Sequence, residues 1–349
     1  MAVGDTSLDG FGSYLGIGRE TTYGTLVTAT SFLDFISSSL KLTKERRIIE
    51  EINTSRTYTK EVGLSRTLEG EIETHAYAEN LAFNYLLQNA MGGSITSASA
   101  TGDTAGSGVY EHTYDVGSMN LTYSSLSINM RKGQASGGKV FEYYGLRVNE
   151  CMFTAEIDEP LKVNFGLIGK DATQTSNDIS AQYSMTADEP LSFVSGRVTI
   201  VADTLGAATT TSYWHVQSVE FGIANNLKGD TESRRIGSET LDVLPPGIAN
   251  FTLNTTLRFN TTTAYAAMLA GTNFAAELEF TGSTLTGSTL RRSIKVQMPK
   301  LTIAEAGDPE IGGPDEILSS QVTFNVLRDV SSAGGYAFRA IVRNKTASY

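Results

Sequence analysis

The chain has 349 residues, of which 40 % are apolar and 19 % charged, with a formal net charge of -11. It is long enough for more than one ordinary domain and apolar enough to bury a real core. Both halves of the sequence are acidic, so neither attracts a nucleic-acid backbone by charge; both repel polyanions and favour solubility.

No run approaches the roughly 20 apolar residues of a membrane helix. Met1 to Gly10 lack the charged-then-apolar pattern of a signal peptide, so the expectation is a protein made and kept in a cytoplasm, without a membrane partner. Cys151 is the single cysteine. It cannot form an intrachain disulfide, and its apolar neighbours favour a buried thiol over a reactive one. Thr, Val, Ile, Tyr and Phe are plentiful while helical periodicity is scarce, which predicts an all-β plan with one short helix in each half.

Leu15-Gly-Ile-Gly-Arg-Glu-Thr-Thr-Tyr-Gly-Thr reads as a turn-rich opening that leads into a strand over Phe32 to Leu42. The charged stretch Lys44-Glu-Arg-Arg-Ile-Ile-Glu-Glu and the polar residues after it are too hydrophilic for a core, so Thr43 to Arg66 reads as a long excursion between two strands. Leu68-Glu-Gly-Glu-Ile-Glu-Thr-His then alternates with period two, and Asn80-Leu-Ala-Phe-Asn-Tyr-Leu-Leu-Gln follows at helical spacing. The pattern predicts a strand running into a helix, with Glu69, Glu71 and Glu73 on one strand face.

Gly92 to Gly117, rich in Gly, Ser, Thr and Ala, reads as a surface loop or projecting arm. Strands are predicted over Leu121 to Arg131, Val140 to Ala155 and Leu161 to Ile168, with a tip at Gly133 to Gly138 and a turn at Pro160. Ala172 to Asp188 reads as a linker, and Pro190 to Asp203 as the strand or strand pair that opens the second half.

The strand-helix grammar returns at Phe251 to Gly271, where Phe251, Leu253 and Leu257 alternate with polar residues before Thr-Ala-Tyr-Ala-Ala-Met-Leu-Ala. Four blocks keep one order in both halves. Phe35 to Leu42 faces Val216 to Ile223, and Arg46-Arg-Ile-Ile-Glu-Glu faces Arg234-Arg-Ile-Gly-Ser-Glu. Gly145-Leu-Arg-Val faces Ser293-Ile-Lys-Val, and Val163-Asn-Phe-Gly-Leu faces Val322-Thr-Phe-Asn-Val. Four ordered matches predict duplication into two tandem β-sandwich or half-barrel units, residues 1–175 and 176–349, each with one short flanking helix.

Catalytic constellations do not emerge. His75, His112 and His215 sit at no metal-ligand spacing to one another or to Cys151. The Gly-rich opening lacks the third glycine of a dinucleotide fingerprint, and neither a phosphate loop nor a nucleophile elbow is present. The acids Asp308, Glu310, Asp315 and Glu316 depart from calcium-loop spacing and are interrupted by prolines. No cofactor, no metal and no enzymatic activity are expected.

Gly18-Arg-Glu-Thr-Thr-Tyr-Gly-Thr, Leu191-Ser-Phe-Val-Ser-Gly-Arg-Val-Thr-Ile, Ala224-Asn-Asn-Leu and Arg234-Arg-Ile-Gly-Ser together resemble the tail tube (major tail) proteins of long, non-contractile-tailed bacteriophages. The resemblance implies a β-sandwich with a flanking helix whose inner sheets join around a ring. Its two-copy form implies a homotrimer per ring, pseudo-hexameric, stacked into a hollow tube that conducts viral DNA during ejection. Implied partners are a tape measure protein in the lumen, tail terminator and tail-tip proteins at the ends, and transient viral DNA. Implied localisation is the virion tail, assembled in the host cytoplasm.

On that reading Glu69, Glu71, Glu73, Asn254 and Arg258 are candidates to face the lumen. Because Asn254 and Arg258 stand where the first copy offers glutamates, the wall is expected to alternate in charge rather than be uniformly acidic. Candidates for ring stacking are Lys44, Arg46, Arg47, Glu50 and Glu51 in the first excursion, with Arg234, Arg235 and Glu239 in its counterpart from Lys228 to Asn250. The competing readings are the inner tube of a contractile injection system and a β-sandwich surface adhesin.

Overall fold

A computed structural model describes residues 10–52, 54–92, 95–103, 107–116, 125–134, 138–183, 188–202, 214–259, 262–307, 315, 317–330 and 335–349. The first part of the chain forms β1 (Tyr14–Arg19), β2 (Ser31–Phe32), β3 (Ser37–Ser38), β4 (Lys41–Ile48), β5 (Glu61–His75), α1 (Leu81–Met91), β6 (Thr96–Ser99) and β7 (Tyr110–Val116). It continues with β8 (Leu126–Lys132), β9 (Lys139–Glu156), β10 (Lys162–Gly169) and β11 (Asp171–Thr175). The second part forms β12 (Gly196–Ala202), β13 (Val216–Ala224), β14 (Asn250–Arg258), α2 (Thr263–Ala270), β15 (Asn273–Thr284), β16 (Arg291–Ala306), β17 (Ser319–Leu327) and β18 (Phe338–Asn344). The fold is all-β with two short helices, as the composition predicts.

Strand pairing is antiparallel throughout, and one sheet runs across the whole molecule in the order β3/β4, β5, β10, β9, β13, β14, β17, β16. Its buried face carries Leu68, Ile72, Val163, Phe165, Phe153, Phe221, Leu253 and Phe324, all within a single core cluster. The two longest strands turn the corner between layers. The early part of β9 pairs with β8 and β11 and its later part with β10 and β13. Likewise β16 pairs first with β15 and β18, then with β17. Such corner strands close a sandwich without a separate connection.

The two runs of pairing follow one pattern. In the first, β1 joins β8, β8 joins β9, β9 joins β10 and β11, and β10 joins β5. In the second, β12 joins β15, β15 joins β16, β16 joins β17 and β18, and β17 joins β14. The ladder registers place Phe165 opposite Cys151 and Phe324 opposite Ile303. With Phe165 and Phe324 matched, Cys151 therefore corresponds to Ile303, so the sequence alignment of Gly145 with Ser293 is displaced by four residues at Cys151 and, past the bulges in β9 and β16, by five at Val148 and Met152. The alignment of Phe35 with Val216 is displaced by two, because Ser37 and Glu220 oppose Glu73 and Asn254 respectively. The slip at Phe35 is even, and a strand alternates with period two, so pattern does not reveal it. The β9 slip changes from four to five where bulges add a residue to β9 and to β16 at different places.

Three further segments differ from the sequence expectation. The opening is a buried strand: Leu15 and Ile17 are fully inaccessible, and Gly16 is required because a Cβ there would stand 2.8 Å from that of Ala29. Close approach of chain, not a turn, explains those glycines. The excursion from Thr43 begins as a two-stranded ribbon, with Lys41 to Ile48 laddered against Glu61 to Glu69. Within the expected linker, β11 pairs with β9.

The expected arm between Gly92 and Gly117 is, in its described residues, a hairpin of β6 and β7, and β7 continues the ladder of β18. It thus ties the first part of the chain to the C-terminal strand. Residues 93, 94, 104–106 and 117 of this segment, and the acidic loop apart from Asp315, lie outside the described residues.

Both predicted helices are present. Asn80 caps α1 by accepting a hydrogen bond from Phe83 N, and Gly92 ends it in the left-handed conformation, as the Asn and Gly signals dictate. Helix α1 is buried along nearly its full length, with Phe83 edge-on to Phe165. Helix α2 also ends on a left-handed glycine, Gly271, but leaves Tyr265 and Leu269 exposed.

Candidate functional site: a polar sheet face between two open edges

The long sheet has one apolar face and one polar face. On β5 the buried residues Leu68, Ile72 and Thr74 alternate with Glu69, Glu71 and Glu73, which project on the other side. Neighbouring strands continue that side with Asn164 on β10, Glu150 and Glu156 on β9, Glu220 on β13, Asn254 and Arg258 on β14, and Glu305 on β16. A shallow depression crosses the middle of this face, lined by Thr154, Glu156, Ser218, Glu220, Asn254 and Thr323.

The glutamates of β5 have local partners that lower their mutual repulsion. Asn164 Nδ2 donates to Glu71 at 2.9 Å and Ser37 Oγ donates to Glu73 at 3.1 Å, while Lys41 stands opposite Glu69 in the ladder. Asn254 Nδ2 donates to Glu220 at 3.1 Å. Register makes Asn254 the counterpart of Glu73, since Thr74 and Thr255 face Val163 and Val322. By the same register Arg258 corresponds to Tyr77, beyond the end of β5, so it does not replace a glutamate. Of the acids that sequence reasoning missed, Glu150, Glu156 and Glu220 were visible as the polar half of an alternation with Cys151, Phe153 and Phe221, whereas Glu305 reaches this face only through a bulge between Ile303 and Glu305 that alternation does not reveal.

The two excursions leave the sheet at the same end, because they connect β4 to β5 and β13 to β14, strands that lie in one sheet. They also touch each other. Glu239 accepts from Lys44 Nζ at 2.8 Å and from Arg66 Nε at 2.9 Å, and Arg66 also pairs with Asp171 at 3.1 Å. Arg234 donates to the Arg66 carbonyl at 2.9 Å. The hydrogen bond from Lys44, with Arg66 alongside, holds the Glu239 carboxyl below its ordinary range.

Further out, Arg46 pairs with Glu61 and Lys60 with Glu51 across the ribbon, Arg235 pairs with Asp242 at 3.4 Å, and Arg47 and Glu50 are exposed. The structure therefore joins Lys44, Arg234 and Glu239 into one intrachain clamp. The charges left over are accompanied by bare apolar side chains: Ile52 and Ile236 are fully exposed, and Ile48, Tyr58 and Ile248 largely so.

Among the described residues, the groups with nucleophilic or metal-binding chemistry are not brought together. Cys151 is buried in the core, and burial pushes its thiol up, away from reactivity. His112 is enclosed beneath the C-terminal residues, where Ser97, Asn344 and Thr346 hold its ring. No helix of the described residues is long and apolar enough to cross a membrane.

An extended polar sheet face, exposed sheet edges and apolar side chains on projecting loops define a protein that works by assembling with others of its kind. The chain matches the model of the phage tail tube protein family over residues 10–326, and it belongs to that family. It is a structural component of the virion tail, where such proteins assemble into a stacked tube. A search among curated proteins finds no match to this chain.

Proposed function

We propose that the chain is a two-copy tube protein, residues 1–175 and 176–349, and that three chains close a ring whose lumen is the polar sheet face. The observation that carries this reading is the repeated pairing order joined by the β9–β13 seam: one chain already contains a unit-to-unit junction of the kind a ring needs. Rings then stack through the end that bears the two excursions. A heterologous contact of this sort propagates into a filament.

The bore follows from strand spacing. Eight strand positions per chain, taken three times at about 4.8 Å and tilted by about 40°, give a backbone diameter of about 50 Å. Side chains narrow that to a channel still wide enough for a DNA duplex. Its wall is rich in carboxylates, amides and hydroxyls, so passing DNA meets repulsion and no long-lived contact. The same lumen accommodates a tape measure protein before ejection, and terminator and tail-tip proteins cover the two ends.

Negative-stain microscopy and mass measurement of the purified protein test this. Hollow rings or tubes with three chains per ring support it; a dilution-stable monomer at every salt concentration overturns it.

A further inference from the structure

We propose that the ring closes by a specific ladder between chains: the β16 edge at Ile303 to Ala306 of one chain pairs with the β3 edge at Ser38 to Leu40 of the next. This rests on the ring reading above and adds the surface and register by which a second copy of the chain binds.

The argument uses the seam inside the chain as a template. There β9 and β13 are antiparallel, with Phe221 opposite Phe153, Gly222 opposite Met152 and Ile223 opposite Cys151. Ladder registers within each run make Met152 the counterpart of Glu305 and Cys151 that of Ile303, since they face Asn164 and Thr323, and Phe165 and Phe324. They also make Ser39 the counterpart of Gly222 and Leu40 that of Ile223. Transferring the seam places Ser38 opposite Ala306, Ser39 opposite Glu305 and Leu40 opposite Ile303.

Both strands are available for it. Among the described residues, β3 pairs only with β5, and β16 beyond Thr302 pairs only with β17. Hydrogen bonding agrees in phase. Ser39 N donates to Glu71 O on its own side, so the main-chain groups of Ser38 and the Leu40 amide point to the open edge, while the Leu40 carbonyl is already taken by Tyr143 Oη at 3.3 Å and Lys132 Nζ at 3.2 Å. Leu40 N reaches only the Ser38 hydroxyl, at 3.4 Å. The edge is flanked by a cleft lined by Phe35, Ile36 and Phe141 together with Arg131, Lys132 and Lys139, a mixed apolar and cationic surface that a second copy covers.

The two seams are not equally strong. Phe153 and Phe221 stack beneath the internal one, whereas Ser38 and Ala306 take those places between chains. Rings therefore come apart at the chain boundary and leave each chain's own seam intact.

Disulfide trapping tests the register. Cys151 is buried, so the double variant Ser39→Cys/Glu305→Cys introduces the only reactive thiols. These positions lie at opposite edges of the sheet, roughly 30 Å apart at 4.8 Å per strand, so a bond between them joins two chains. A non-hydrogen-bonded antiparallel pair suits a disulfide. Oxidised assemblies are expected to run as covalent dimers and trimers without reductant, and the offset pair Ser37→Cys/Glu305→Cys is expected to give at least tenfold less.

Hydrogen exchange on the unmodified protein gives a second reading: amides at Ser38 and Leu40 are expected to gain protection on assembly. Rings that form without either signal, or that trap only the offset pair, overturn the proposed seam and leave the ring standing. Failure to form rings at all overturns both.

Discussion

Phe153 and Phe221 lie face to face with ring centroids 5.0 Å apart and 3° between their planes, one from each half of the chain. Phe280 extends the stack at 6.1 Å from Phe221. The pair sits directly under the strand junction where β9 meets β13, so aromatic packing and backbone hydrogen bonds act on the same seam. Truncating Phe221 to Ala removes a fully buried ring and is expected to cost about 3–5 kcal/mol of folding stability. Because one core cluster spans both halves, denaturant unfolding should show a single transition at a lower midpoint. Two separate transitions in the wild-type chain would refute this coupling.

The clamp on Glu239 gives a local effect rather than a global one. Glu239 and its partners reach solvent, and exposed pairs of this kind contribute little to global stability. Glu239→Ala is therefore expected to leave the urea midpoint close to that of the wild type while loosening the ribbon from the facing loop. Limited proteolysis between Ile48 and Lys60 should accelerate several-fold, and high salt should reproduce part of that gain in the unmodified protein. An unchanged cleavage rate would show that the clamp does not hold the ribbon.

His112 sets a pH dependence with a definite sign. Burial lowers its pKa from the ordinary 6.5, and the Nε2 hydrogen is directed at the Asn344 side chain and the Thr346 carbonyl, at 3.1 and 2.8 Å. A base whose folded pKa is depressed stabilises the fold fully above its unfolded pKa, and that contribution is lost as pH falls through the folded value. Thermal midpoints should thus decline as pH drops from the ordinary imidazole range. His75, lowered by burial and by Lys162, acts in the same direction. His112→Gln should flatten part of the slope and a His75 variant the remainder; a slope indifferent to both would remove histidine from the account.

The all-β plan, both helices and the glutamate face of β5 were legible because each is written locally, in strand alternation or in helical spacing. Three things were not. The first strand was hidden by Gly16 and Gly18, whose missing side chains accommodate a neighbouring segment that the sequence cannot show. Register between the halves was lost to an even slip at Phe35, which leaves hydrophobic pattern unchanged, and to bulges in β9 and β16 that pattern does not locate. The intrachain partnership of Lys44 and Arg66 with Glu239 joins positions far apart in sequence, and only folding brings the two excursions to one end of a sheet. The Arg46 and Arg234 blocks look alike in sequence, yet one lies in a strand and the other in an irregular loop.

The bare isoleucines at the ends of the excursions predict an assembly defect without a folding defect. Ile52 and Ile236 are fully exposed in the single chain, so replacing either by Glu removes no intrachain packing and should leave thermal stability within about 0.5 kcal/mol. Placed against the next ring, the same charge is desolvated and opposed by apolar surface. Ile52→Glu and Ile236→Glu are expected to give folded chains, or single rings, that fail to lengthen into tubes by sedimentation and microscopy. Tubes of normal length from both variants would move the stacking contact elsewhere.

Reversing charge on the polar sheet face separates a lining surface from an outer one. Glu71 and Glu73 point away from the core, and each holds only one short polar contact, from Asn164 and Ser37. Glu71→Lys/Glu73→Lys is therefore expected to preserve folding and ring formation while making the wall of the channel cationic over one copy in two. Wild-type tubes should not retain short duplex DNA at low salt, and the variant should retain it with an affinity that falls steeply as salt rises, the signature of phosphate neutralisation. Position distinguishes lumen from exterior. DNA retained by open tubes but excluded from tubes capped at both ends lies inside, whereas DNA bound equally to both places these glutamates on the outer wall and overturns the assignment of this face to the bore.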